Sequence, residues 1–157
     1  MDTFKFKALL DTNVLLDVLC TPRRPSAEAS EVILQAIRDG YLEGVVTTQS
    51  ILDAAYILSR IGESFDREVF GRSILSLMNF VNIHSIHFLD VRDAILHPGT
   101  ELKDDALYAH ADADGCDAII TSDRGFLHRA NDSGILLLSP EEFSRRLRGA
   151  IPSSSKI

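Results

Sequence analysis

Short apolar runs, each followed by a stretch of helical periodicity, recur along this chain and limit its fold more than any other feature. Lys5–Leu10, Gly44–Thr47, Asn82–Ile86, Ala118–Thr121 and Ile135–Leu138 read as strands. Ser26 is a fair N-cap for a helix to Asp39, in which Ala29, Val32, Ile33, Ala36 and Ile37 repeat at i, i+3, i+4, i+7 and i+8 and so share one face. Ser50 is placed to cap a helix carrying Ala54, Ile57, Leu58 and Ile61, and a further helix is expected over Asp66–Met78. Gly40, Gly62 and Gly115 stand where three helices should stop. Ser139 and Pro140 open the last helix, as N-cap and first helical residue. Strands alternating with helices imply parallel pairing through right-handed crossovers. The expected fold is α/β, a three-layer α/β/α sandwich around a central parallel sheet of about five strands.

A chain of 157 residues, 45% hydrophobic and 25% charged, has the material for one packed core and the balance of a soluble globular domain rather than a disordered segment. Residues 1–150 are expected to form a single domain, with 151–157 as a flexible tail. No apolar run approaches the roughly 20 residues of a membrane span. The N-terminus lacks the basic region and long apolar stretch of a signal peptide. A cytoplasmic protein with no membrane partner is the expectation. Cys20 and Cys116 are far apart and read as buried free thiols. None of the histidines shows zinc-ligand spacing. The net charge of −7 argues against broad, nonspecific nucleic-acid binding. It does not exclude a nuclease, because acids gathered at a metal site are themselves negative and a bound cation reverses the local field.

Four acids stand where strand-like runs stop or the next helix starts. Asp11 ends Leu9-Leu10-Asp11, and Asp123 follows Ala118-Ile119-Ile120-Thr121-Ser122. Asp53 and Asp105 lie near helix starts. In an open α/β sheet, ligands sit at the carboxyl ends of the strands, so these acids should meet at one rim. Carboxylates brought that close repel unless protonated or neutralised. A hard divalent ion with oxygen ligands, Mg²⁺ or Mn²⁺, is the simplest neutraliser. That chemistry points to phosphodiester cleavage.

Each acid also has a plain reading. Asp11 and Asp123 could be turn or cap residues at strand ends. Asp53 ends a Ser50-Ile51-Leu52-Asp53 pattern close to a capping box, although a functional Asp53 would point inward from the first turn of its helix. Of the adjacent pair Asp104 and Asp105, Asp105 is the choice for the site, on a stripe with Ala109 and Ala113 that can pack close to the sheet. Asp104 is expected to face solvent. Thr121 or Ser122 would support Asp123 by hydrogen bonding, while Thr12 and Asn13 could cap the first helix.

Two blocks carry a family resemblance. Leu9-Leu10-Asp11-Thr12-Asn13-Val14-Leu15-Leu16-Asp17 resembles the opening signature of the PIN domain family, and within it of VapC-type toxins of toxin–antitoxin pairs. Asp105-Ala106-Leu107-Tyr108-Ala109, through Gly115-Cys116-Asp117-Ala118-Ile119-Ile120-Thr121-Ser122-Asp123-Arg124-Gly125-Phe126, resembles its second half. The resemblance implies a PIN-like fold and a metal-dependent endoribonuclease using Mg²⁺ or Mn²⁺. Asp11, Asp105 and Asp123 match the first, third and fourth family acids and would hold metal. Asp53 stands where the second acid is usually Glu, so its shorter side chain departs from the pattern. Thr12 and Thr121 or Ser122 match small polar positions. RNA substrate, a homodimer and an antitoxin partner are further implications. Arg23, Arg24 and Arg124 are candidate phosphate contacts, against the plain reading of solvated loop charges. The alternative function is a PIN-like domain that binds RNA or protein without cutting.

Overall fold

A computed structural model describes residues 5–20, 22–61, 64–129 and 133–150. The expected tail at 151–157 and the expected helix stop at Gly62 lie outside these residues. The strands are β1 (Lys7–Leu10), β2 (Glu43–Thr47), β3 (Asn82–His84), β4 (Ala118–Ile120) and β5 (Leu136–Leu138). The helices are α1 (Thr12–Leu19), α2 (Ala27–Arg38), α3 (Thr48–Ile61), α4 (Arg67–Leu77), α5 (Phe88–Leu96), α6 (Leu102–Ala113), α7 (Arg124–Leu127) and α8 (Pro140–Ala150). All pairings are parallel, in the order β3-β2-β1-β4-β5.

Side-chain alternation along β1 sets the layers, because successive residues of a strand face opposite sides. Ala8 and Leu10 join Val14, Ile33, Val46, Ala54, Ile120 and Phe143 in one core. Leu9 joins Val45, Leu107, Ala111, Ile119 and Phe126 in the other. The first core is therefore covered by α1, α2, α3 and α8, and the second by α6 and α7, with α5 packed on α6. This is the three-layer sandwich. Central strands β1 and β4 bury both faces, which is why they read as unbroken apolar runs. Gly40 and Gly115 adopt φ of 79° and 70° just past α2 and α6, the left-handed stop that glycine allows without a Cβ clash.

The strand order fixes where a site can form. From β1 the chain winds outward to β2 and β3, then returns so that β4 lies on the other flank of β1. Connections from β1 and β4 leave in opposite directions, making a crevice at their carboxyl ends. Register Leu10↔Ile120 brings the residues after both strands side by side, and the Asp11 amide continues the ladder to the Ile120 carbonyl at 3.0 Å. Two local expectations shift. The helix expected from Val91 starts at Phe88, with the Asp90 carboxylate accepting from the His87 amide at 2.8 Å. The helix expected to be capped by Ser50 starts at Thr48, directly from β2, and Thr47 Oγ1 accepts from the Ser50 amide at 3.2 Å.

Candidate active site

Asp11 sits in the β1–β4 crevice as the N-cap of α1, 4% exposed. Its Oδ1 accepts from the Thr12 amide at 2.7 Å. Its Oδ2 accepts from Thr121 Oγ1 at 2.8 Å and from Asn13 Nδ2 at 3.2 Å. Asn13 also reaches across to β4, where its Oδ1 accepts from the Ser122 amide at 2.9 Å. Thr121 Oγ1 in turn accepts from the Asp123 amide at 3.1 Å. A hydrogen-bonded net thus ties the two loops and fixes the Asp11 carboxylate. Burial pushes its pKa up, the bonds from Thr121 and Thr12 and the charge of Lys103 pull it down, and Asp123 adds to the rise; the net shift is upward. Asp123 is exposed and caps α7, its Oδ1 accepting from the Phe126 amide at 2.9 Å.

Asp104 and Asp105 are placed opposite to expectation. Asp104 is 6% exposed, not solvent-facing. Its carboxyl is pushed up to about 6, by burial first and then by the negative charges of Asp11 and Asp123. Asp105, 2% exposed, is engaged elsewhere. It accepts from the Gly99 amide at 2.8 Å, the Thr100 amide at 3.0 Å, Thr100 Oγ1 at 3.2 Å and Arg129 Nε at 3.0 Å. Burial raises its pKa, but these donors outweigh burial and hold it below the usual carboxylate range. The acid of this pair that feels Asp11 and Asp123 is therefore Asp104. The physical reason is the fold-back of the 97–101 loop, which supplies three donors to Asp105, and the arrival of Arg129 from beyond α7.

Asp53 lies in the second turn of α3, not the first, because that helix begins three residues earlier than a cap at Ser50 implies. Its Oδ1 accepts from Gln49 Nε2 at 2.9 Å. Its Oδ2 faces Lys103 Nζ at 3.1 Å as an ion pair without hydrogen-bond geometry. Asp11, Asp53 and Lys103 line one cavity of about 400 Å³, walled by Ile86, Val91 and Leu102. Lys103 is the residue that sequence reasoning missed. A signal existed: a lysine in the first turn of a helix opposes the helix dipole and needs a nearby carboxylate.

The arginines separate. Arg23 forms a two-pronged exposed pair with Glu31 at 2.9 and 3.0 Å. Arg24 Nε is 2.9 Å from the buried Asp17. Arg124 is exposed beside Asp123, with no side-chain partner among the described residues. Both cysteines are free, and burial together with Asp114 pushes the Cys116 thiol up to about 12, which rules it out as a nucleophile near neutral pH.

The strand order, the crevice and the acids at its rim agree with one sequence comparison. The PIN domain family profile matches residues 7–125. The chain belongs to the PIN domain family. Solved structures share its fold. The crystal structure of PAE2754 from Pyrobaculum aerophilum is 18% identical with a TM-score of 0.61, over 92% of this chain and 90% of that one. A toxin–antitoxin complex from Klebsiella pneumoniae is 19% identical with a TM-score of 0.55, over 85% and 97%. FitAcB from Neisseria gonorrhoeae is 16% identical with a TM-score of 0.55, over 85% and 98%. No curated protein matches the chain.

The donor set of this PIN domain fits a hydrated hard cation. Its acids offer only oxygen, and two of them, Asp11 and Asp104, are held in a state that a positive charge would relieve. Beside Asp11, the buried hydroxyls Thr12 Oγ1 and Ser122 Oγ have no hydrogen-bond partner, so polar capacity is left over at the rim. Among the described residues no three His, Cys, Asp or Glu side chains close around a point as a ready-made metal cage. Magnesium typically keeps several of its waters, so an open arrangement suits it.

Proposed function

We propose that this PIN domain is a divalent-metal-dependent endoribonuclease and the toxin of a toxin–antitoxin pair. One observation carries the reading: Asp11 is locked at the β1–β4 crevice by Thr12, Asn13 and Thr121, and the buried Asp104 beside it has its carboxyl pushed up by burial and by the charges of Asp11 and Asp123. Acids crowded to that degree want a cation between them. Asp11, Asp104 and Asp123 would hold Mg²⁺ or Mn²⁺, and Asp53 would act through Lys103 or water. When bound, the ion supplies an activated water and neutralises charge building on the scissile phosphate. The chain's own residues do the rest. Asn13 and Thr121 lock the Asp11 carboxylate, so its lone pairs need no reorganisation. Arg124, exposed at the rim, would meet an RNA phosphate and set the strand's position. Arg23 and Arg24, already paired with Glu31 and Asp17, are weaker candidates for that contact.

Cleavage of RNA with Mg²⁺ or Mn²⁺ tests this. Asp11→Asn and Asp104→Asn should each lower the rate by about 100-fold or more. Equal cutting by wild type and Asp11→Asn would remove the site. One similar structure is a toxin–antitoxin complex, and large exposed apolar residues on α5, Phe88, Leu89, Ile95 and Leu96, suit burial against protein. They support a homodimer or antitoxin partner. Light scattering of the wild type and Phe88→Asp checks this, a shift toward monomer being the expected result.

A second reading is a PIN domain that binds RNA or protein without cutting. Asp53, shorter than the glutamate usual at its position and already facing Lys103, favours it. A folded protein with metal-dependent cleavage eliminates it.

A further inference from the structure

We infer that Lys103 is a built-in cation of the acidic pocket, standing where a second divalent ion would otherwise bind, so that the pocket takes one metal ion per chain. The inference rests on the metal-dependent reading above.

Three observations meet here. The Lys103 ammonium is 3.1 Å from Asp53 Oδ2, and its positive charge also acts on Asp11 and Asp104. Lys103, Asp53 and Asp11 line the same cavity. Gln49 occupies the remaining oxygen of Asp53. One oxygen of Asp53 accepts from Gln49 and the other faces the ammonium with no hydrogen bond, so a divalent ion reaching this carboxylate would have to displace the ammonium. Two cations at that separation repel strongly in a half-buried site. Asp11, Asp104 and Asp123 are left to share one ion.

A plain surface ion pair is the competing account. Lys103 is half exposed, and such pairs contribute little to stability. The two accounts differ in what they say of metal. If Lys103 only decorates the surface, its removal leaves metal binding alone. If it is the second cation, removal opens a place for another.

Manganese alone is the probe, titrated into the full chain and counted by calorimetry and by the electron paramagnetic resonance of free Mn²⁺. Wild type should bind one Mn²⁺. Lys103→Met should bind a second ion, or bind the first at least about tenfold more tightly. Lys103→Arg, which keeps the charge, should behave as wild type. Circular dichroism establishes that each variant is folded, and Lys103→Gln serves if Lys103→Met is not. An unchanged count and affinity in Lys103→Met, or two ions in wild type, would overturn the inference while leaving the nuclease reading intact. No Mn²⁺ bound by wild type at millimolar concentration would overturn both.

Discussion

Asp104 and Asp105 are neighbours in sequence with opposite electrostatic surroundings. The Asp104 carboxyl titrates near 6, above its ordinary 3.8. A raised folded value favours the native state below pH 3.8, and that contribution is lost as pH rises through 6. Asp104→Asn should therefore raise the urea midpoint at neutral pH, with the gain vanishing near pH 3.8. If Asp104 helps to hold a metal ion as proposed, the same variant should also lower cleavage by about 100-fold or more. Asp105 has the reverse sign. Its lowered value stabilises the fold above pH 3.8 and that support is lost as pH falls through the folded value. Asp105→Ala removes a buried partner of Arg129 and the acceptor of the 99–100 amides. It should cost about 3–5 kcal/mol at neutral pH, read by urea denaturation. The adjacency of these acids was visible in the sequence, but their facing was not. Only the loop before α6 and an arginine 24 residues away decide it.

At the scale of elements, the joints β1–α1 and β4–α7 form the candidate site. Asn13 spans them, donating to Asp11 and accepting from the Ser122 amide. Asn13→Ala leaves that amide without its acceptor and should cost about 1–3 kcal/mol, seen as a lower urea midpoint. Thr121 acts from the other joint. Asn13 and Thr121 could be placed at these joints from the sequence because polar residues directly after apolar strands have few other places to go, whereas the Thr12 and Ser122 hydroxyls make no hydrogen bond there. Helix α6 was less legible. It is buried from Asp104 to Ala111, so polar and apolar residues alike face protein and no stripe identifies the inward side. The Ala109 and Ala113 pattern therefore did not show that Asp104 is buried along with Asp105. Helix α3 misled in another way. Thr47 ends β2 and caps the helix at once, so Asp53 is one turn deeper than a cap at Ser50 implied.

For the whole molecule, the order β3-β2-β1-β4-β5 is the decisive property. Alternating strands and helices in the sequence specify parallel pairing but not which strand lies beside which. Placing β4 against β1 makes the crevice and brings acids from opposite ends of the chain to it. A ligand that binds only the folded chain stabilises it by mass action. Mg²⁺ or Mn²⁺ at 100 times its dissociation constant should add about 2.7 kcal/mol. That gain should shrink as pH falls below about 6, where Asp104 takes up a proton. Thermal melts with and without metal across pH 5–8 read this directly, approximately the range over which such a carboxyl changes state.

The central claim is that Asp11, Asp104 and Asp123 gather one divalent ion at the β1–β4 crevice. Crystals soaked in Mn²⁺ and measured for anomalous scattering locate that ion without reference to activity. A peak between Asp11 and Asp104, absent from Asp104→Asn crystals, is the expected result. A peak at Asp105 and Arg129, or none at saturating Mn²⁺, would contradict it.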